Sequence, residues 1–469
     1  SGHWSADFAM TEGGVQFTAG QGFFNAYLKP GERVRTPRVT MQAFAGGHDR
    51  GRNLWRSFYF AHMLPHGKDG KSLSPKLFVH TWAIDGKSEF SGTTEQNQKH
   101  AIDTYLQKGF APDGWWIDAG WYPCNYDWGV GVGNLRLNEE NYPNGLKPVS
   151  DHLHKNGIDL LLWFEPERVF KGTQFAREHP EWLLSLPSGG DNMLFNLGNK
   201  QALDWLCKYI GGLIEENGID YYRQDFNMPI NGYWEANDAP DRIGISEIRH
   251  IEGLYAYWDY LLERFPNMII DNCASGGRRL DLETMSRSLP LWRTDYRYGE
   301  VNGYQCHTYG LNFFLPLHGT GVYGGDHYNF RSSMSSAMVT NWEVASRNGS
   351  LADMHRSIKQ FKELRPYYME DYYPLTGIKD LTAEDVWLAY QLNRPSDNSG
   401  IVMAFRRSEN GQNEITVQLK GLTPDQTYVV RNDNDGSVSE ATGKQLAEGI
   451  ALKIDAPRGS LMLQYAPKK

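Results

Sequence analysis

The chain has 469 residues, which is more than one small hydrophobic core requires, so we expect two or three domains. Its net charge is -9, with acidic and basic residues mixed throughout, and without a basic stripe no nucleic-acid partner is expected. No apolar run approaches the roughly 20 residues of a membrane span and no signal peptide is present. We therefore expect a soluble protein and leave its compartment open between the cytoplasm and a secreted or periplasmic location.

Aromatic side chains make up 13% of the chain, including 15 Trp and 26 Tyr. This content is typical of enzymes that stack rings on sugars, and equally of proteins with large aromatic cores. The four cysteines, Cys124, Cys207, Cys273 and Cys306, form no CxxC pair, and no group of histidines and acidic residues has ligand spacing in the sequence. We therefore expect neither a metal site nor a cofactor.

Three regions differ in pattern along the chain. Residues 1–70 contain short alternating segments and the turn "LKPGERVRTP", which predict a few strands. Residues 71–370 alternate short apolar strands with helical stretches, and residues 371–469 return to strands split by polar turns. The sequence therefore predicts a short N-terminal β segment, an α/β domain and a C-terminal antiparallel β-sandwich.

The alternation of strand and helix in the central region repeats six times. The predicted strands are "KLFVHTWAID", "DGWWIDAGWY", "IDLLLWFEPE", "IDYYRQDFN", "MIIDNCASGG" and "LWRTDYRYG". Helical stretches separate them, and Gly157 and Gly218 mark the ends of two predicted helices. Short apolar strands joined by helices are typical of a parallel sheet that is covered on both faces.

Each predicted strand ends in polar or reactive side chains, which are His80 and Trp82, Asp118, Glu165 and Glu167, Asp225 and Asn227, Asn272 and Cys273, and Asp295. A (β/α)8 barrel collects its active site at the carboxyl ends of its strands, whereas a doubly wound sheet uses mainly one switch point. Functional groups on six successive strands favour a (β/α)8 TIM barrel for residues 71–370. The first strand is not followed by a GxGxxG motif, which argues against a doubly wound nucleotide-binding sheet.

Two of these carboxylates suit the cleavage of a glycosidic bond. That chemistry needs one carboxylate at the anomeric carbon and one acid that protonates the leaving oxygen. The cation of Arg223 favours an ionised nucleophile at Asp225, and the aromatic neighbours of Asp295 favour a protonated acid there. For either aspartate alone, a structural ion pair or a loop cap is an equal alternative, and the two together favour catalysis.

The ordered motifs of the central region resemble glycoside hydrolase family 36, the melibiase-type α-galactosidases and α-N-acetylgalactosaminidases. "WWIDAGWY" is similar to that family's Asp-Asp-Gly-Trp strand end, and "LLLWFEPERV" to its Trp-x-Glu-Pro-Glu-Met-Val segment. "YYRQDFN" resembles its Lys-Trp-Asp-Met-Asn nucleophile motif, and "LWRTD" its Trp-x-Ser-Asp acid/base motif. Residues 1–70 resemble the last strands of the family's N-terminal β-sandwich, and residues 371–469 resemble its closing β domain.

The resemblance implies a retaining α-glycosidase in which Asp225 is the nucleophile and Asp295 the acid/base. It implies sugar-binding positions at Asp118, Trp163, Arg223, Cys273 and Trp292, to which the strand ends add Trp82 and Asn227. Core packing is the alternative for the tryptophans, and a plain buried thiol is the alternative for the cysteine. Glu165 and Glu167 are expected to form a salt-bridged layer beneath the site.

Two departures from the family pattern affect the sugar more than the reaction. Ala119 stands where the family has the second Asp of a pair that holds the C4 and C6 hydroxyls, and Arg223 and Gln224 replace Lys-Trp. The glycone is therefore open between galactose, N-acetylgalactosamine, galactosamine and a sugar altered or carboxylated at C6. The rival functions are a transglycosylase of the same fold and a non-catalytic carbohydrate-binding protein. The expected partner is an oligosaccharide or glycoconjugate, and a homo-oligomer is compatible with the sequence.

Overall fold

The structure is a computed structural model that describes residues 2–65, 76–80, 83–84, 87–296, 299–341, 350–377, 380 and 383–469. These residues fall into two compact units. The first consists of residues 2–42, 65 and 80–289, and the second of residues 43–64, 76–79 and 290–469. The predicted division into residues 1–70, 71–370 and 371–469 stays a prediction.

Five parallel strands form the centre of the first unit. In their spatial order they are Gly114–Ile117, Asp159–Phe164, Tyr221–Gln224, Ile269–Asn272 and Ser288–Leu289. The register places Trp163 opposite Arg223 and Gln224 opposite Asn272, so the carboxyl ends of the strands lie at one edge. The strands are buried over almost their whole length, as strands covered on both faces should be.

Helices connect these strands and confirm the predicted alternation. The helices of the first unit are Glu89–Gly92, Glu95–Gln107, Trp128–Gly131, Lys147–His154, Gln174–Glu178, Lys200–Asn217, Asn231–Asn237, Ile245–Arg264 and Leu282–Met285, with a 3-10 turn at Pro180–Trp182. The same unit has minor strands at Trp4–Thr11, Gly14–Gln21, Asn25–Ala26, Ala83–Ile84, Lys87–Ser88, Arg168–Phe170, Leu183–Leu184, Asn192–Phe195 and Arg242–Ile243. The first two of these form an antiparallel hairpin that is largely exposed, in the segment where the sequence predicts strands.

The second unit contains further parallel strands and an antiparallel β region. The parallel strands are Leu77–His80, of which the last residue belongs to the first unit, Ala337–Thr340 and Gly319–Val322. Its helices are His48–His62, Val301–Leu311, His327–Ser333, Leu351–Leu364 and Gly443–Glu448, with a 3-10 turn at Arg365–Met369.

Two antiparallel sheets make up the C-terminal β region and enclose one buried core. One sheet has six strands, Asp371–Pro374, Trp387–Arg394, Ser399–Arg406, Gly459–Pro467, Thr427–Asn432 and Val438–Thr442, and the other pairs Glu414–Val417 with Ile450–Lys453. Trp387, Tyr428 and Tyr465 of the first sheet share the core with Val417 and Leu452 of the second. The predicted antiparallel β domain is therefore confirmed.

One predicted strand is misplaced. The sequence predicts a strand over "LWRTDYRYG", residues 291–299, but the strand of this region is Ser288–Leu289 and the described residues that follow, 290–296, continue without one. Pro290 explains the early end, because proline has no backbone N–H to donate to a sheet. Asp295 therefore lies in a loop and not on a strand end.

Within the described residues, no helix is both long and apolar enough to cross a bilayer.

Candidate active site

Asp225 directly follows the strand Tyr221–Gln224 and is only 8% exposed. N–H donors meet both oxygens of its carboxylate. Oδ1 accepts from the backbone N–H of Phe226 at 2.7 Å and of Ser275 at 3.1 Å, and Oδ2 accepts from Trp163 Nε1 at 3.2 Å and Asn227 Nδ2 at 2.8 Å. Four donors on two oxygens fix the orientation of this carboxylate.

Asn227 links Asp225 to a second buried carboxyl group, Glu165. The backbone N–H of Asn227 donates to Glu165 Oε1 at 2.5 Å, and Arg168 forms a bidentate ion pair with Glu165 at 2.9 and 2.6 Å. Burial raises the pKa of Glu165 to about 7 against the effect of Arg168, and the charge of Asp225 adds to the rise. The expected salt bridge of Glu165 is confirmed.

Ser275 is a contact of Asp225 that the sequence analysis missed. Its backbone has φ of 47°, the left-handed region that a non-glycine residue rarely adopts, and this turn aims its N–H at Asp225. In the same turn, Cys273 is 1% exposed and its Sγ accepts from the backbone N–H of Gly276 at 3.1 Å. The "SGG" sequence signals a tight turn, but it does not show which N–H points into the site.

Arg223 is a buried cation in the centre of the site. Its Nη1 donates to Asp271 Oδ2 at 2.5 Å, its Nε lies 3.9 Å from Asp118 Oδ2, and its guanidinium stacks on Trp116 at 4.2 Å. Burial alone would lower the pKa of Arg223, but the surrounding acidic groups keep it well above its usual value. The sequence analysis missed Asp271, the partner that holds this side chain.

Asp118 follows the strand Gly114–Ile117, and its side chain is 19% exposed. Its Oδ2 accepts from Trp116 Nε1 at 2.8 Å and lies 3.4 Å from His80 Nε2. Burial would raise the pKa of Asp118, but His80 and Arg223 lower it below its usual value. An ionised aspartate with a partly open face can accept hydrogen bonds from hydroxyl groups, and the contact of Asp118 with a sugar stays a prediction.

Glu89, at the start of the helix Glu89–Gly92, joins His80 and Asp118 in a cluster that sequence spacing did not predict. Their ligand atoms all lie within 4.8 Å of one another, and one histidine with two carboxylates is a donor set that could hold a metal ion. The residues stand nine and thirty-eight positions from His80, so only the fold brings them together.

A second buried network lies around Glu167. This carboxylate accepts from Arg279 Nη2 at 2.5 Å and Gln224 Nε2 at 2.8 Å and pairs with His250 at 2.9 Å. Burial would raise the pKa of Glu167, but Arg279 and His250 lower it to about 2. Gln224 is fully buried and also accepts from Trp258 Nε1, so it belongs to the core and not to a sugar contact.

The second candidate carboxylate, Asp295, lies in the second unit. Its Oδ1 accepts from Trp292 Nε1 at 2.8 Å. Trp292 is 7% exposed and packs directly over Gly321, where an added Cβ would lie 2.5 Å from the indole ring. The close approach of indole and backbone fixes the tryptophan, which in turn orients the carboxylate.

Residues 94–353 match the profile of the melibiase family, which is more than half of the chain. The chain belongs to this family. The resemblance to glycoside hydrolase family 36 that the motifs predict is thereby confirmed.

The relatives of this chain include proteins that are named as α-galactosidases. α-Galactosidase Mel36A of Lactobacillus acidophilus is 24% identical over 277 residues, which cover 58% of this chain and 37% of the relative. The α-galactosidase of Escherichia coli is 33% identical over 225 residues, covering 46% and 30%. The chain thus spans less than two thirds of the length of these relatives.

A solved melibiase structure has the same fold. α-Galactosidase AgaA of Geobacillus stearothermophilus, in a complex with stachyose, superimposes with a TM-score of 0.85 at 19% identity, covering 99% of this chain and 66% of that one. At this identity the likeness establishes the fold.

The predicted site residues of this melibiase chain fall into three groups. In the first unit, Trp163 and Asn227 both donate to Asp225, and Arg223 lies beside Asp118. Cys273 accepts from the backbone of Gly276. Trp292 and Asp295 contact each other in the second unit. Trp82 lies outside the described residues.

Proposed function

We propose that this chain is a retaining exo-acting α-glycosidase that removes terminal α-linked galactose-type sugars from oligosaccharides or glycoconjugates. The observation that carries the proposal is the carboxylate of Asp225, which four N–H donors fix at the carboxyl end of a parallel strand. Membership of the melibiase family and relatives named as α-galactosidases support it. We infer further that the parallel strands close into a (β/α)8 barrel, the architecture that gathers strand-end residues around one pocket.

In the proposed mechanism, Asp225 attacks the anomeric carbon while Asp295 protonates the leaving oxygen. A glycosyl ester of Asp225 forms, and the aglycone departs. Asp295 then takes a proton from water, which attacks the same carbon and releases the sugar with its original anomeric configuration. Retention predicts a separation of roughly 5–5.5 Å between the two carboxyl groups.

The glycone is proposed to be galacto-configured, with Asp118 accepting from its hydroxyls. A sugar carboxylate is disfavoured, because Arg223 is already paired with Asp271 and lies beside Asp118. Galactose, galactosamine and N-acetylgalactosamine are the proposed candidates. They share the galacto configuration and differ from one another only at C2. A panel of nitrophenyl α-glycosides separates them, and inactivity on every galacto-configured member would contradict the proposal.

Substitution of the nucleophile is the first test. Asp225→Asn should lower kcat/KM by several orders of magnitude, because it removes the attacking oxygen. The variant should still fold, with a lowered melting temperature, because the amide nitrogen cannot accept from two of the four N–H donors. The matched control is Asp220→Asn, because Asp220 precedes the same strand at its other end, where it pairs with His154. Equal trace activity in wild type and Asp225→Asn would contradict the proposal.

Azide assigns the two roles. With Asp225→Gly, azide should replace the nucleophile and give a β-glycosyl azide. With Asp295→Gly, azide should replace the water of the second step and give the α-glycosyl azide. NMR of the products distinguishes the anomers. Products analysed with a sugar acceptor distinguish a hydrolase from a transglycosylase.

A further inference from the structure

Glu89 is an incompletely paired carboxyl group at the edge of the proposed sugar site. Its side chain is 12% exposed, and its Oε2 lies 4.0 Å from His80 Nε2. Among the described residues, this oxygen has no hydrogen-bond partner. A buried polar oxygen without a hydrogen-bond partner lowers the stability of the fold. We therefore expect a group of a bound ligand to contact this oxygen.

The helix that begins at Glu89 packs on the strand end that carries Asp118. A Cβ at Gly120 would lie 3.3 Å from the Cα of Phe90 and 3.7 Å from the carbonyl oxygen of Glu89. The intervening residue, Ala119, is 4% exposed and offers only a methyl group. The end of this strand supplies one carboxyl group, that of Asp118. The neighbouring helix adds a second one, that of Glu89.

A second polar atom without a hydrogen-bond partner in the described part of the chain lies near Asp118. Arg223 is 3% exposed, and its Nε has no hydrogen-bond partner among the described residues although it lies 3.9 Å from Asp118 Oδ2. The titratable groups next to Glu89 are therefore His80 and Asp118, and the guanidinium of Arg223 lies next to Asp118. Two polar atoms without a partner among the described residues, Glu89 Oε2 and Arg223 Nε, therefore both lie close to the carboxylate of Asp118.

The charge states of the two carboxyl groups are complementary. Burial first, and the charge of Asp118 second, raise the pKa of Glu89 to about 9, while the pKa of Asp118 is lowered. At neutral pH, Glu89 is therefore a neutral acid that can donate, and Asp118 is an acceptor. A sugar hydroxyl that donates to Asp118 keeps a lone pair for the proton of Glu89.

We propose that Glu89 is a specificity-determining residue that donates a hydrogen bond to a glycone hydroxyl held between it, Asp118 and His80. The three ligand atoms lie within 4.8 Å of one another. His80 Nε2 lies 4.0 Å from Glu89 Oε2 and 3.4 Å from Asp118 Oδ2, so one hydroxyl oxygen can lie within hydrogen-bond distance of both carboxyl groups. A divalent cation suits the place less well, because the buried guanidinium of Arg223 already lies 3.9 Å from the carboxylate of Asp118 and would repel the cation. The inference rests on the proposed function for the position of the sugar.

Sugar binding, measured by calorimetry without any turnover, tests the assignment. Galactose should bind Glu89→Ala about tenfold or more weakly than wild type, and Glu89→Gln should recover most of the loss because its amide can still donate. One deoxygalactose, lacking the hydroxyl that Glu89 contacts, should bind wild type and Glu89→Ala equally. The control is Glu95→Gln, a carboxylate on the next helix that pairs with Lys99.

The pH dependence of binding separates a donor from a structural residue. Galactose affinity of wild type should fall as the pH rises through about 9, where Glu89 loses its proton, and Glu89→Gln should not show this fall. Equal galactose affinity of wild type and Glu89→Ala, the same loss for every deoxygalactose, or affinity that EDTA abolishes would overturn the assignment. Binding that depends on Glu89 in a chain without hydrolytic activity would instead overturn the proposed function alone.

Discussion

At the scale of single residues, Glu165 and Glu167 show how partners decide the state of a buried carboxyl group. Both are almost completely buried. Two basic side chains lower the pKa of Glu167 to about 2, whereas a single arginine leaves the pKa of Glu165 raised to about 7 by burial. Glu165, whose pKa is near neutral, is therefore linked to Asp225 through Asn227, which donates a hydrogen bond to each of them.

Glu165 should make folding stability depend on pH. Its folded pKa is raised above 4.5, so its contribution is fully present below pH 4.5 and is lost as the pH rises through about 7. Relative to the non-titrating variant Glu165→Gln, the free energy of unfolding of wild type should fall by on the order of 2–3 kcal/mol across that window. Urea denaturation of both proteins at several pH values measures the difference, and a constant difference would show that Glu165 keeps one charge state throughout.

At the scale of elements, side-chain caps and glycines set the ends of the helices that position the strands. The helix Lys200–Asn217 begins where Asn199 accepts from the N–H groups of Gln201 and Ala202, and it ends at Gly218 with φ of 64°. The strand that leads to Asp225 starts three residues after this glycine. The end of the helix therefore sets the start of the strand that leads to the proposed nucleophile.

Gly218 and Gly212 of this helix should respond to alanine in opposite directions. Gly218→Ala should destabilise the fold by about 1–2 kcal/mol, because an L-residue is strained at positive φ and its Cβ would lie 3.0 Å from Ser150 Oγ. Gly212→Ala should stabilise it by about 0.5–1 kcal/mol, because Gly212 is inside the helix with nothing within 4 Å of an added Cβ. Thermal denaturation compares the two, and a loss of stability in both would contradict this reading of the end of the helix.

The sequence predicted those features of the site that depend on local pattern. Apolar runs ending in Asp118, Glu165 and Asp225 identified three strand ends, since a buried strand and the polar residue after it are adjacent in the chain. Glu89 and Asp271 escaped prediction, because what matters about them is a partner on another element. Ser275 escaped because its contribution is a backbone N–H aimed by an unusual φ, which no side-chain pattern reports.

At the scale of the whole molecule, each compact unit carries one of the two proposed catalytic carboxylates. Asp225 belongs to the first unit and Asp295 to the second. The second unit also contains the antiparallel C-terminal sheets, which contact the helix that follows Asp295. The C-terminal β region is therefore in contact with the helix that follows the loop of Asp295.

Arg407 is the residue through which this contact can be tested. It directly follows the strand Ser399–Arg406, is 1% exposed, and donates from Nη2 to the carbonyl of Asn302 at 3.1 Å and from Nε to Gln305 Oε1 at 3.1 Å, both on the helix Val301–Leu311. Arg407→Ala should lower the free energy of unfolding by about 3 kcal/mol, because it leaves buried acceptors unpaired and opens a cavity.

The matched control is Arg431→Ala, on a strand of the same sheet, whose side chain is 52% exposed and pairs with Asp433. Arg431 is half exposed, and Asp433, although buried, keeps its hydrogen bonds from Gln360 and Gln464, so this change should cost about 1 kcal/mol or less. If the contact supports the acid/base loop, Arg407→Ala should also lower kcat more for glycosides with poor leaving groups than for nitrophenyl glycosides, since only the former need full protonation by Asp295. A stable Arg407→Ala protein with unchanged kcat on both substrates would show that the C-terminal sheets and the acid/base loop are independent.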